Sequence, residues 1–199
     1  MTADKKTAHR IADALIQAGL RRGAVVLVHA SLSKLGWVEG GAETVIDGLG
    51  AAVGDDGTLL LPGFSFATVG FANPTFSVRE TPSCVGIIPE CFRVRYAQIR
   101  SVHPTHSVCA AGRLAMDICK DHQLDNTPVG EHSPLRKLRD LDGQVVFLAC
   151  GLAPNTSMHG VEELVRPPYL LREYITYRII LADGSEIRLR HRHHDFRGW

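Results

Sequence analysis

Apolar residues at helical spacing open the chain. Ile11, Leu15 and Leu20, with Ala12, Ala14 and Ala18 between them, run up to Gly23 and predict an amphipathic helix. AVVLVHAS (24–31) then replaces that period with a β-branched run, the mark of a buried strand. Gly40-Gly41 opens a second helix, AETVIDGLGAAV, with Val45, Ile46, Leu49 and Val53 on one side. GDDG (54–57) is a turn, and TLLLPGFSF (58–66) reads as another buried strand. Helix, strand, helix, strand in alternation predicts an α/β fold with at least part of its sheet parallel.

The pattern then weakens. FATVGFANPTFSVRETPSC (66–84) is rich in Pro, Gly, Thr and Ser and predicts a long functional or mobile connection. VGIIPECFRVRY (85–96) suits a short helix, and SVHPTHSVCAAG (101–112) an extended segment leading into a helix, LAMDICKDHQL. HSPLRKLRDL is another helical piece, and QVVFLACG (144–151) predicts a third buried strand. From Tyr174 onward, YITYRIILADGSEIRLRHR alternates around Asp183-Gly184, a hairpin signal. Without repeats, low complexity or a linker, residues 1–199 read as one domain.

Composition narrows the function classes. The chain has 199 residues, 45% hydrophobic and 22% charged, enough to bury a core. A formal net charge of +1 gives no overall field to recruit nucleic acid or an anionic membrane. Basic residues cluster only in RLRHRHHDFRGW (188–199). No apolar run approaches the roughly 20 residues that span a bilayer, and the opening segment lacks the apolar core of a signal peptide. Cys84, Cys91, Cys109, Cys119 and Cys150 contain no CxxC and read as reduced packing residues of a cytoplasmic protein.

The densest chemistry lies in PNTSMHGVEE (154–163). Thr156 or Ser157 could cap a helix, with Glu162 or Glu163 one turn beyond His159. A carboxylate accepting from one imidazole nitrogen fixes the tautomer and makes the other nitrogen a better base. Spacing alone also allows a surface histidine on a capped helix. VHASLSKLGWVEGGAE (28–43) ends a strand, adds two serines and places a diglycine before a helix, which suits an anion as well as a tight turn. In RSVHPTHS (100–107), Arg100 suits a phosphate and the hydroxyls a carbonyl or amide. Its two histidines lack carboxylates or cysteines at zinc-ligand spacing, and HRHHD (191–195) reads as polar residues after a hairpin more readily than as a metal cluster. GxSxG is absent, and no cysteine carries a nucleophile signature.

Five blocks in order, VHASLSKLGWVEGG, GTLLLPGFSF, GIIPECFR, RSVHPTHSVCAAG and GEHSPLRKL followed by NTSMHGVEE, resemble the aminoglycoside 3-N-acetyltransferase family over nearly the whole chain. The resemblance implies a three-layer α/β/α fold with a mixed central sheet, to which the alternating tail adds a C-terminal β-hairpin. It also implies direct acetyl transfer from acetyl-CoA, the co-substrate, to an amine of an aminoglycoside. His159 would be the general base and Glu162 its orienting carboxylate. CoA would be held by Ser31, Leu32, Ser33, Lys34, Leu35, Gly36 and Val38 and by Arg100, Ser101, His103, Thr105, His106 and Ser107. CoA brings its own thiolate leaving group, so this chemistry requires neither a metal nor a protein nucleophile, and no metal site is assigned. The expected partner is a small-molecule amine, with no nucleic acid or membrane and with a homodimer allowed. Family members continue beyond the equivalent of Trp199, so the domain reads as shortened at its C-terminus. The resemblance therefore also admits a relative that binds CoA without aminoglycoside turnover or acetylates a different amine.

Overall fold

Alternation along three strands divides the core in two. β1 (Val25–Ala30), β2 (Thr58–Pro62) and β5 (Val108–Gly112) send successive side chains to opposite sides of one sheet. Val26, Val28, Leu59, Leu61 and Cys109 pack on one face, and Val25, Leu27, Leu60, Val108 and Ala110 on the other. This is the architecture of a computed structural model, which describes residues 4–195.

The first face is covered by α1 (Lys5–Gln17), α2 (Gly41–Val53) and α3 (Ile87–Arg95), through Leu15, Val45, Leu49, Ile88 and Phe92. Asp4 caps α1 by accepting from the Lys6 and Thr7 backbone N–H groups. Where α1 meets α2, a Cβ on Gly48 would sit 2.8 Å from the Ile11 Cβ, so only glycine permits the approach. The opposite face is covered by α4 (Ala115–Cys119) and α5 (Pro134–Asp140), through Ile118, Leu135 and Leu138.

Two short strands complete the five-stranded sheet: β4 (Ile99–Arg100) at one end and β6 (Gln144–Leu148) at the other, in the order β4-β5-β2-β1-β6. β1 is parallel to β2 and β6, while β5 is antiparallel to β2 and β4, so the sheet is mixed as expected. A second sheet joins β3 (Thr75–Ser77), β7 (Ile175–Ile180) and β8 (Glu186–His191) around Phe76, Tyr177 and Ile179. β7 and β8 pair antiparallel around the Asp183-Gly184 turn. α6 (Ser157–Val165) follows β6. Among the described residues no helix is long and apolar enough to cross a membrane, and all five cysteines are free.

Several expectations needed correction. The second strand stops at Pro62, although Gly63 still donates to the Ser107 carbonyl beside it. The connection 66–84 contains β3, three residues long and hidden by its Pro and Thr neighbours. The helix expected over LAMDICKDHQL divides into α4 and a 3-10 turn, His122–Leu124. In 101–112 only Val108–Gly112 is strand, and the residues before it form a buried turn. QVVFLACG is not buried: β6 is half-exposed along its length, since among the described residues β1 is its only neighbour.

Candidate active site

β1, β2 and β6 deliver their following loops to one end of the sheet, where sites in open α/β sheets gather. A cleft of about 430 Å³ lies there, lined by His29, Ser31, Ser33, Phe64, Ile87 and Cys150 among others. A second, of about 560 Å³, is lined by His106, Met158, His159, Arg172, His193 and His194. Phe66, Pro154 and Thr156 line both, so the two clefts adjoin.

α6 carries His159 into the wall of the second cleft. One turn on, the Glu162 carboxylate accepts from the His159 Nδ1–H at 2.6 Å, leaving the lone pair on Nε2. The side chains are 24% and 41% exposed, open enough to meet a substrate. Neither expected capping hydroxyl caps the helix: the Thr156 hydroxyl donates to the Pro154 carbonyl, and the buried Ser157 hydroxyl has no partner.

Glu163 points the other way. It is buried and accepts from the Thr127 hydroxyl at 2.5 Å, the Val129 N–H at 2.8 Å and the His194 Nε2–H at 2.8 Å. These bonds lock α6 to the 127–129 loop and to the segment after β8. They also set the His194 ring edge-on to His159, with centroids 4.6 Å apart. His159, Glu162 and His194 each offer one ligand atom within 4.8 Å of the others, the single such group among the described residues.

The segment 100–107 differs from its sequence reading. Arg100 donates from Nε to the Ser107 hydroxyl and from its terminal nitrogens to the Val78, Thr81 and Gly63 carbonyls, and it lies over the Phe76 ring. Burial lowers its proton affinity to a pKa of about 10. A guanidinium so engaged ties β4 to its neighbours. The Ser101 hydroxyl bonds His122 and accepts from the Val108 N–H, and the Ser107 hydroxyl donates to the Gly63 carbonyl. His103 is fully buried: Nε2–H donates to the Thr127 carbonyl, and Nδ1 accepts from the Thr105 and His106 N–H groups. Thr105 is buried too, its hydroxyl against His106 Nδ1. His106 alone of this segment lines a cleft. Burial drives both histidines well below the ordinary value of 6.5 and keeps them neutral.

The loop after β1 divides. Ser31, Leu32 and Ser33 line the first cleft, the two hydroxyls 3.3 Å apart, and Lys34 is exposed on the 3-10 turn Leu32–Lys34. Gly36, at φ +80°, turns the chain, and Val38 packs on the core. Leu35 instead faces a groove of about 910 Å³ between α1 and β6, beside Trp37.

Sequence reasoning passed over four neighbours of the site: His29, Phe66, Arg172 and His194. His29 stacks on Phe147 and is held neutral by burial, its pKa near 4. His194 was in view within HRHHD; its place after β8, which packs into the fold, was the missing clue. The last four residues of that basic run lie outside the described residues.

Comparison with known proteins adds an independent line. The family model described as aminoglycoside 3-N-acetyltransferase matches residues 27–197. Aminoglycoside N(3)-acetyltransferase VII of Streptomyces paromomycinus is 33% identical over 91% of this chain, which spans 68% of that relative's length. The solved structure of AAC-IIIb in binary complex with CoASH superposes with a TM-score of 0.82 at 27% identity, covering 95% of this chain and 76% of that one. A histidine-to-alanine mutant of aminoglycoside acetyltransferase AAC(3)-IVa in complex with a gentamicin gives a TM-score of 0.79 at 30% identity, covering 98% and 71%.

Proposed function

The chain belongs to the aminoglycoside 3-N-acetyltransferase family, and on that premise we propose that it moves an acetyl group from acetyl-CoA to an amine of an aminoglycoside. The observation that carries the reading is the 2.6 Å His159–Glu162 pair, whose histidine lines the second of two adjoining clefts. A protonated amine has no lone pair to attack with. His159 Nε2 takes its proton, while Glu162, bonded to Nδ1, holds the ring and stabilises the imidazolium that forms. The freed amine attacks the thioester carbonyl directly, and CoA leaves as the thiolate.

Acetyl-CoA occupies the cleft lined by Ser31, Leu32 and Ser33, and the exposed Lys34 that follows them is the cation offered to its phosphates. The acceptor occupies the adjoining cleft. Arg100, Ser101, His103, Thr105 and Ser107 support that wall from within, and His106 is the member of the segment that faces the acceptor.

One observation favours a second reading of the acceptor. Among the described residues no carboxylate lines the acceptor cleft, whereas Arg172 does, and a polycation needs anionic partners. A less cationic amine suits such walls. Thiol release from acetyl-CoA, measured with aminoglycosides beside simple amines for wild type and His159→Ala, tests both readings. Turnover that depends on His159 supports the mechanism, and the productive amine identifies the acceptor. Full turnover in the variant sinks His159 as base.

A further inference from the structure

We propose that the same corner of the cleft is a binding site for zinc-class divalent ions, with His159, Glu162 and His194 as ligands, and that occupancy silences the base. The site itself is independent of the acetyl-transfer reading; only the inhibitory consequence rests on it.

Two imidazole nitrogens and one carboxylate oxygen form a donor set that suits zinc, cobalt or copper and not the oxygen-seeking magnesium or calcium. Three protein ligands leave a fourth position for water, open to the cleft that also supplies the path in. The ligand atoms lie within 4.8 Å of one another. Bonds of about 2.0–2.2 Å place tetrahedral ligand atoms about 3.3 Å apart, a contraction within reach of side-chain torsions. For His159 and Glu162, now 2.6 Å apart, the ion enters between partners already in contact.

His194 supplies the observation that lifts this above a chance cluster. Its Nε2–H donates to Glu163, a carboxylate itself fixed by the Thr127 hydroxyl and the Val129 N–H. A carboxylate behind an imidazole orients the ring and raises the basicity of the far nitrogen, the arrangement that supports metal-bound histidines. Nδ1 is thereby the nitrogen through which His194 ligates. At His159 either nitrogen serves. A metal on Nε2 occupies the lone pair outright, and a metal on Nδ1 moves the ring proton to Nε2. In both cases no lone pair remains for an amine.

Cobalt(II) titrated into the metal-free protein tests this without any substrate. The set is wild type, His194→Ala, Glu162→Gln and, as a control on the exposed face of α1, His9→Ala, each checked for folding by far-UV circular dichroism. Expected is one ion per chain with the visible absorption of a four- or five-coordinate site, displaced by zinc. Affinity falls at least about tenfold in the first two variants and is unchanged in the third. No saturable binding, binding unaltered by both site variants, or binding lost in His9→Ala overturns the proposal. Should a site variant fail to fold, paramagnetic broadening of the His159 imidazole signals in wild type decides: present, it supports the site; absent, it overturns it. A protein that binds cobalt as described yet acetylates no amine would defeat the proposed function and leave this inference standing.

Discussion

RSVHPTHS and NTSMHGVEE look alike on paper: each packs histidine, hydroxyls and charge into eight or nine residues. In the fold they are opposites. The first is folded inward, and Arg100, His103 and Ser107 spend their polar atoms on backbone carbonyls, N–H groups and each other. The second starts a helix whose histidine lines a cleft, bonded to one part-exposed carboxylate, while the other carboxylate is buried as an anchor. Residue type gives a segment its repertoire. Where its polar atoms are already spent decides whether that repertoire holds a wall together or acts on a substrate.

The largest effect that separates the two regions is acid. Burial lowers the pKa of His103, His106 and His122, the last to about 3, so in the folded protein these rings stay neutral. Below the ordinary value of 6.5 the unfolded chain takes up protons that the folded chain refuses. Stability that is complete above that pH is therefore lost as pH falls toward about 3. Each histidine costs about 1.4 kcal/mol per pH unit, so the three together cost about 4. Chemical-denaturation midpoints between pH 7 and about 4.5 should drop steeply; a flat profile would put these rings in water.

Two substitutions of similar size should act on different quantities. His159→Ala should lower kcat by about 10²- to 10⁴-fold while leaving the melting temperature within a degree or two. Arg100→Ala should remove about 3–5 kcal/mol of folding stability, because it strips a buried cation from carbonyls that then lack a donor. Calorimetry beside steady-state kinetics reads both, and a crossed result would erase the contrast. The smallest effect sharpens it: Ser101→Ala, which frees a buried N–H and a histidine, should cost about 1–3 kcal/mol with kcat unchanged.

The apolar periodicity made most of the main sheet legible. β-branched runs became β1 and β2, and Ile11, Leu15, Val45 and Leu49 lie on helix faces turned to the core. β6 was read as a strand but given the wrong burial, since a run such as QVVFL carries no mark of its place in the sheet. β3 was invisible because three residues are too few to show a period. At the site, helical spacing, a local rule, offered Glu162 or Glu163 beside His159; the resemblance singled out Glu162, which is the one bonded to it. No local rule reaches His194, because 35 positions separate it from His159 and only the packing of the second sheet closes that gap. Arg100 shows the complementary limit: a guanidinium suits a phosphate and a set of carbonyls equally, and sequence does not say that carbonyls are near.

The half-exposed β6 has a consequence in colloidal terms. Among the described residues this strand keeps one row of backbone donors and acceptors unpaired, beside a groove bearing Leu35 and an almost fully exposed Trp37. An open edge with apolar flanks is a template on which further chains can add strand by strand. Concentrated solutions of the protein should therefore scatter light increasingly with time, and a lysine in place of Val146 should clear them, since a charge on that strand repels the next arrival.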